Sequence, residues 1–244
     1  TIDAKSGEAA GQANGSTLTI GGAQTQLAAL NGMLKTEGGH VNLQGQLLAI
    51  DANGADSALR AHGGSIAAGT EGPGDILAVA GNVRALGGSI SLGSSQLEAA
   101  LVKGMIEAQG GPVSLQGKHV LLSDNGESYA AHAIGSRIQI GTDDAQEIVI
   151  QGRVLAGSEG AQAGSGTGSL VDIGQGRGQA SVLLTGSLEA HAGGIANASF
   201  NTADSLLDGS ILSHDESSVV NALFKSGRLS GDIRAEEGGI VNAT

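Results

Sequence analysis

The sequence predicts an all-β chain: a right-handed parallel β-helix with three short strands per coil and about ten coils. Three observations lead to that expectation. First, a Gly-Gly or Gly-Ser unit recurs at Gly15, Gly38, Gly63, Gly87, Gly110, Gly135, Gly168, Gly193 and Gly238. Most steps are 23 to 25 residues, and the glycine-less variant Ser217-Ser218-Val219-Val220-Asn221-Ala222 fills the gap before Gly238. A fixed period of roughly 20 to 50 residues marks a repeat architecture, in which each unit buries its apolar face only against its neighbours. Second, short runs alternate with period 2, which means strand. Third, the 244 residues include 43 Gly but only one Tyr, two Phe and no Trp, while 40% are hydrophobic. Such a chain is too aliphatic to be disordered and too poor in aromatics for a thick core.

Each coil repeats three elements. One strand family reads Leu18-Thr19-Ile20, Val41-Asn42-Leu43, Ile90-Ser91-Leu92, Val113-Ser114-Leu115, Ile138-Gln139-Ile140 and Val171-Asp172-Ile173. A second follows a glycine, as in Gly32-Met33-Leu34, Gly81-Asn82-Val83, Gly152-Arg153-Val154 and Gly186-Ser187-Leu188. A third precedes that glycine, as in Ile76-Leu77-Ala78-Val79, Glu147-Ile148-Val149-Ile150 and Ser181-Val182-Leu183-Leu184. The glycines sit where corners need positive φ. One step of 33 residues is too long, and its excess maps onto a flexible inserted loop at about residues 157–168. The coil from Lys118 to Arg137 lacks the glycine-led unit and contains Tyr129, which suggests a second bulge. Residues 1–244 form a single β-helix, and both ends fall in mid-pattern, as in a piece of a longer protein.

The net charge of −12 disfavours nucleic acid, which requires clustered Lys and Arg. No apolar stretch is long enough for a transmembrane helix. Catalytic and cofactor signatures are weak. Ser213-His214-Asp215 is contiguous, so its side chains cannot converge as a triad. The six histidines are single, with His62 and His191 at corners where exposure is expected, and no zinc spacing occurs. The acidic pairs Asp143-Asp144 and Glu236-Glu237 lie at corners, and the other acids look scattered, unlike the paired carboxylates of a glycosidase. No cofactor, no metal and no catalytic residue is expected.

The candidate binding residues are therefore outward ladders. In the first strand family Thr19, Asn42, Ala67, Ser91, Ser114, Gln139, Asp172, Asn197, Asn221 and Asn242 stack into a polar ladder. Within it Asn42, Gln139, Asp172, Asn197, Asn221 and Asn242 form a candidate self-association face; amide stacking that only holds coil to coil is the competing reading. In the second family Lys35, Arg60 and Arg84 form a basic stripe suited to an anionic ligand, followed by Glu107, Leu155, Glu189, Leu212 and Arg234.

The C-terminal third resembles the passenger domains of AIDA-type, self-associating bacterial autotransporters. The resemblance rests on Ser169-Leu170-Val171-Asp172-Ile173-Gly174, Ser181 through Leu188, Ala203-Asp204-Ser205-Leu206-Leu207-Asp208-Gly209 and Leu229-Ser230-Gly231-Asp232-Ile233. It implies export to the bacterial cell surface through an outer-membrane β-barrel lying C-terminal to this chain. It also implies a non-enzymatic adhesin acting in cell–cell aggregation, biofilm formation or attachment to host surfaces. The implied partners are further copies on neighbouring cells, host matrix proteins or glycosaminoglycans. A glycosaminoglycan-binding stripe without self-association and a polysaccharide-degrading β-helix are the alternatives, and a two-partner-secretion adhesin shares the fold and role.

Overall fold

The computed structural model describes residues 1–22, 24–142, 144–159, 167–174 and 180–244. Those residues form strands and turns with no helix, stacked as a parallel β-solenoid of about ten turns. The named strands pair in parallel with strands of the neighbouring coils, on both sides except in the first and last coils, which gives three sheets running the length of the rod. At about 4.8 Å per coil, ten coils span about 48 Å.

The register is the one expected from the glycine period. In one sheet, here the amide sheet, Thr19, Asn42, Ala67, Ser91, Ser114, Gln139, Asp172, Asn197, Asn221 and Asn242 lie opposite one another in turn. In the second, the charged sheet, the column reads Gln12, Lys35, Arg60, Arg84, Glu107, His132, Leu155, Glu189, Leu212 and Arg234. In the third, the aliphatic sheet, Ala29, Ala49, Ala78, Leu101, Leu121, Val149, Leu183 and Leu206 are stacked.

The core between the sheets is almost wholly Ala, Val, Ile and Leu, as composition requires. Phe200 is its one buried aromatic and stacks on Phe224 at 4.6 Å. On three successive coils the corner joining the aliphatic and charged sheets requires glycine. Gly186, Gly209 and Gly231 sit one above another with φ between 134° and 150°, and a Cβ on any of them would overlap the carbonyl of the glycine below. Each coil can approach the next this closely only without a side chain there.

The bulge expected in the coil containing Tyr129 lies at its corner: seven residues, Asp124 to Ala130, join His119–Ser123 to Ala131–Ile134, where the coils on either side use only Gly104-Met105 and Gly152-Arg153. The register is kept beyond it, since Ala131–Ile134 pairs with both Ile106–Gln109 and Val154–Ala156, with Ala131 and Ala133 inward. The expected loop at 157–168 lies partly outside the described residues, since 160–166 are not among them. Its described beginning, residues 157–159, turns back across the charged sheet.

Candidate functional site

The polar ladder becomes a directed chain of hydrogen bonds at its C-terminal end. Asn242 donates Nδ2–H to Oδ1 of Asn221, Asn221 to Asn197, and Asn197 to Asp172, at 2.8, 2.8 and 2.7 Å. Asp172 is buried, and its other oxygen meets Arg137 Nη2 at 2.7 Å. The coil spacing lets each amide reach the one below, and the run ends on a carboxylate, the stronger acceptor, neutralised by a guanidinium. These amides are therefore engaged in coil-to-coil cohesion. Asn42 stands apart between Thr19 and Ala67, with a buried Oδ1 that has no hydrogen-bond partner.

The basic stripe carries its own counter-charges. Lys35 lies 3.6 Å from Glu37; Arg60 and Arg84 share Asp56 at 3.3 and 3.5 Å; Arg84 also faces Glu107 at 3.3 Å. Asp56 between two stacked guanidiniums offsets the repulsion that in-register like charges would produce. Three cations meet three carboxylates, so no net positive field is left for a polyanion.

A dense polar cluster lies further along the charged sheet, and sequence reasoning missed it. Arg153 bonds to both Glu159 and Glu189 and lies over the Tyr129 ring, 5.2 Å from its centre. Tyr129 donates its hydroxyl to Glu159 at 2.9 Å and packs on His132 at 4.5 Å. The His132 Nε2–H donates to the Gly157 carbonyl at 2.8 Å. These bonds hold residues 157–159 over the sheet, where Leu155, outward by register, is fully buried. Glu189 also accepts from Ser187 and lies 3.3 Å from His191 Nε2. Glu189 and His191, expected to face solvent, are 5% and 7% exposed. The reason is local: Arg153 and Ser187 cover the carboxylate, and the His191 ring lies 5.3 Å from that of His214.

Electrostatics define what this cluster can do. Burial alone would raise the Glu189 carboxyl, but hydrogen bonds from His191, Arg153 and Ser187 outweigh it and hold the carboxyl at about 2. The Arg153 bond, opposed by burial and assisted by the Tyr129 hydroxyl, also lowers Glu159. Burial, together with the bond to Glu159, raises the Tyr129 phenol, and burial lowers His132. Two carboxylates held ionised around one guanidinium cannot divide into a protonated acid and a base, as glycoside hydrolysis requires. The cluster does show that acids on different coils converge here instead of scattering.

Ser213, His214 and Asp215 do not form a triad. Ser213 is buried and donates to the Ser218 carbonyl while accepting from the Ile240 amide. His214 lies between Asp215, Glu236 and Glu237 at 3.7, 3.4 and 3.5 Å. Glu159, Glu189 and His191 form one trio whose ligand atoms lie close together, and His214, Asp215 and Glu237 form another. In the first, the guanidinium of Arg153 already supplies the positive charge between the carboxylates.

The aliphatic sheet has the opposite character. Leu27, Leu47, Ile76 and Leu121 point outward and are 36% to 57% exposed. A groove of about 670 Å³ runs along this sheet from Thr1 and Asp3 to Ser123 and Gln151, floored by Ala29, Ala49, Ala78, Leu101 and Leu121. No known protein family, curated protein or solved structure matches the chain.

Proposed function

We propose that this chain is a bacterial cell-surface adhesin, the β-helical passenger of an AIDA-type self-associating autotransporter exported through the outer membrane. It holds cells to one another, or to host matrix, through the sides of the rod. The observation that carries this reading is the long run of in-register outward ladders on a solenoid. Repeated side chains every ~4.8 Å suit contact made of many weak, additive interactions. The described polar clusters are tied into internal networks, which favours a lateral face over a catalytic pocket.

The two alternatives receive less support. A glycosaminoglycan stripe along Lys35, Arg60 and Arg84 is neutralised by Glu37, Asp56 and Glu107. A polysaccharide-degrading site built on Glu159 and Glu189 lacks a carboxyl able to donate a proton near neutral pH. The direct test is to display the chain on the surface of non-aggregating bacteria and follow settling of the standing culture. Clumping and clearing relative to cells with an empty display vector is the expected result. Settling no faster than the control, together with no retention on matrix-coated surfaces, overturns the reading.

A further inference from the structure

The aliphatic sheet behaves, in its sequence, like a sheet covered on both faces. Its strands are nearly continuous apolar runs, such as Ile76-Leu77-Ala78-Val79-Ala80 and Ala99-Ala100-Leu101-Val102, with apolar residues in the outward as well as the inward places. That pattern belongs to strands buried on both sides, whereas a solvated face alternates apolar with polar. The inward half faces the core. The outward half, with Leu47 and Ile76 each 38% exposed and Leu121 36%, is open in the single chain. An apolar face of this extent on a molecule of net charge −12 marks an interaction surface.

The order of side chains along the face indicates what covers it. Numbering coils from the one that contains Asp3, the outward column reads Ala29, Ala49, Ala78, Leu101 and Leu121 on coils one to five. Small residues precede large ones. A two-fold axis through Ala78, running along the strand direction, sets coil two on coil four and coil one on coil five of a second copy. Leu101 then lies on the partner copy's Ala49 and Leu121 on its Ala29, and Leu47 of the next column lies on its Ala99. Large side chains meet small ones along the central column and at Leu47, as an interdigitated sheet-on-sheet contact requires, while Ile76 meets its own copy at the axis and Leu27 meets His119 at the periphery. The same operation sets Lys103 opposite Asp51, twice by symmetry. Neither residue has an ion-pair partner among the described residues. The groove itself runs from Asp3 on coil zero to Gln151 on coil six, so its midpoint is the coil of Ala78.

We propose that the aliphatic sheet is a homodimer interface in which two rods pack face to face and antiparallel about Ala78. Six coils of five-residue strands and the two-residue strand Ile2–Asp3 cover about 500 Å² on each copy. That corresponds to about 1,000 Å² buried over both copies, at the lower limit for a specific complex. A micromolar dimer follows, weak singly and additive between cells that carry many copies. The biological meaning of the dimer rests on the adhesin reading, but its existence does not.

The test uses the purified chain in sedimentation equilibrium. A dimer with a dissociation constant in the micromolar range is expected. L101D/L121D, which places carboxylates against the partner copy's alanines, is expected to weaken it about 100-fold, with unchanged circular dichroism. K103E is expected to weaken it about tenfold, and D51K/K103E to restore it. The chain has no cysteine, so a short bis-maleimide reports the register. A mixture of A49C and L101C chains is expected to cross-link to each other, while A49C alone does not. A monomer at all concentrations, a dimer indifferent to L101D/L121D and K103E, or efficient cross-linking of A49C to itself overturns the proposal. Cells that clump equally well with L101D/L121D would refute this surface but leave the adhesin reading intact. A dimer of the expected register on cells that do not clump would do the reverse.

Discussion

Replacing Glu189 by Gln removes one charge from the Arg153 cluster while keeping the size of the side chain. Glu189 is 5% exposed, accepts bonds from Arg153 and Ser187, and lies beside His191. Its carboxyl is held at about 2, against 4.5 for an ordinary glutamate. At ~1.4 kcal/mol per pH unit, the displacement is worth about 3 kcal/mol of stability at neutral pH. The folded value lies below the unfolded one, so this stability is fully present above pH 4.5 and disappears as the pH falls through about 2. Guanidinium unfolding followed by far-UV circular dichroism, repeated from pH 7 to pH 2, measures it. E189Q is expected to be less stable than the parent by about 3 kcal/mol at pH 7. The gap should narrow below pH 4.5 and nearly close at pH 2, because the other titrating groups are common to both chains. A gap that stays constant with pH, or none at pH 7, refutes the assignment of Glu189 as the ionised anchor of this cluster.

Five further substitutions probe other parts of the rod. G209A puts a methyl group against the Gly186 carbonyl at φ 150°, and is expected to cost on the order of 2–4 kcal/mol in thermal or denaturant unfolding. G7A, also at positive φ but with open space around it, should cost only about 1–2 kcal/mol, and equal losses would contradict the close-approach argument. N221A breaks two links of the amide chain and should cost about 1–2 kcal/mol, whereas N42A removes an acceptor with no partner and should be close to neutral. D56N releases Arg60 and Arg84 from their shared carboxylate, so elution from a heparin column is expected to move to higher salt.

The fold was readable because a solenoid repeats its instructions. Glycines such as Gly186, Gly209 and Gly231 recur because each coil imposes the same steric demand, and Val171-Asp172-Ile173 states its register by alternation. The outward ladders follow from that register, so Asn197, Asn221 and Asn242 could be stacked from sequence alone. Their mutual hydrogen bonds depend on amide orientation, which a column of residue names does not contain. The Arg153 cluster was not legible for a related reason. It joins Tyr129, Arg153, Glu159 and Glu189 across three coils and a segment that turns back over the sheet, and no period relates those positions. The available signal was compositional: a lone Tyr in a chain nearly free of aromatics, one coil away from an arginine in a glycine-led unit. The aliphatic face was not among the ladders read from the sequence, although runs such as Ala99-Ala100-Leu101-Val102 carry its signal by breaking the polar–apolar alternation seen in the other two sheets.

If copies of this rod hold cells together, mixed cell populations will sort by whether they carry it. Two populations displaying the chain, each with a different fluorescent protein, are combined with a third population bearing no chain and a third colour. Clumps that contain both displaying populations intermixed and exclude the bare cells are expected. Absence of clumps, or clumps that recruit bare cells as readily as displaying ones, would contradict it.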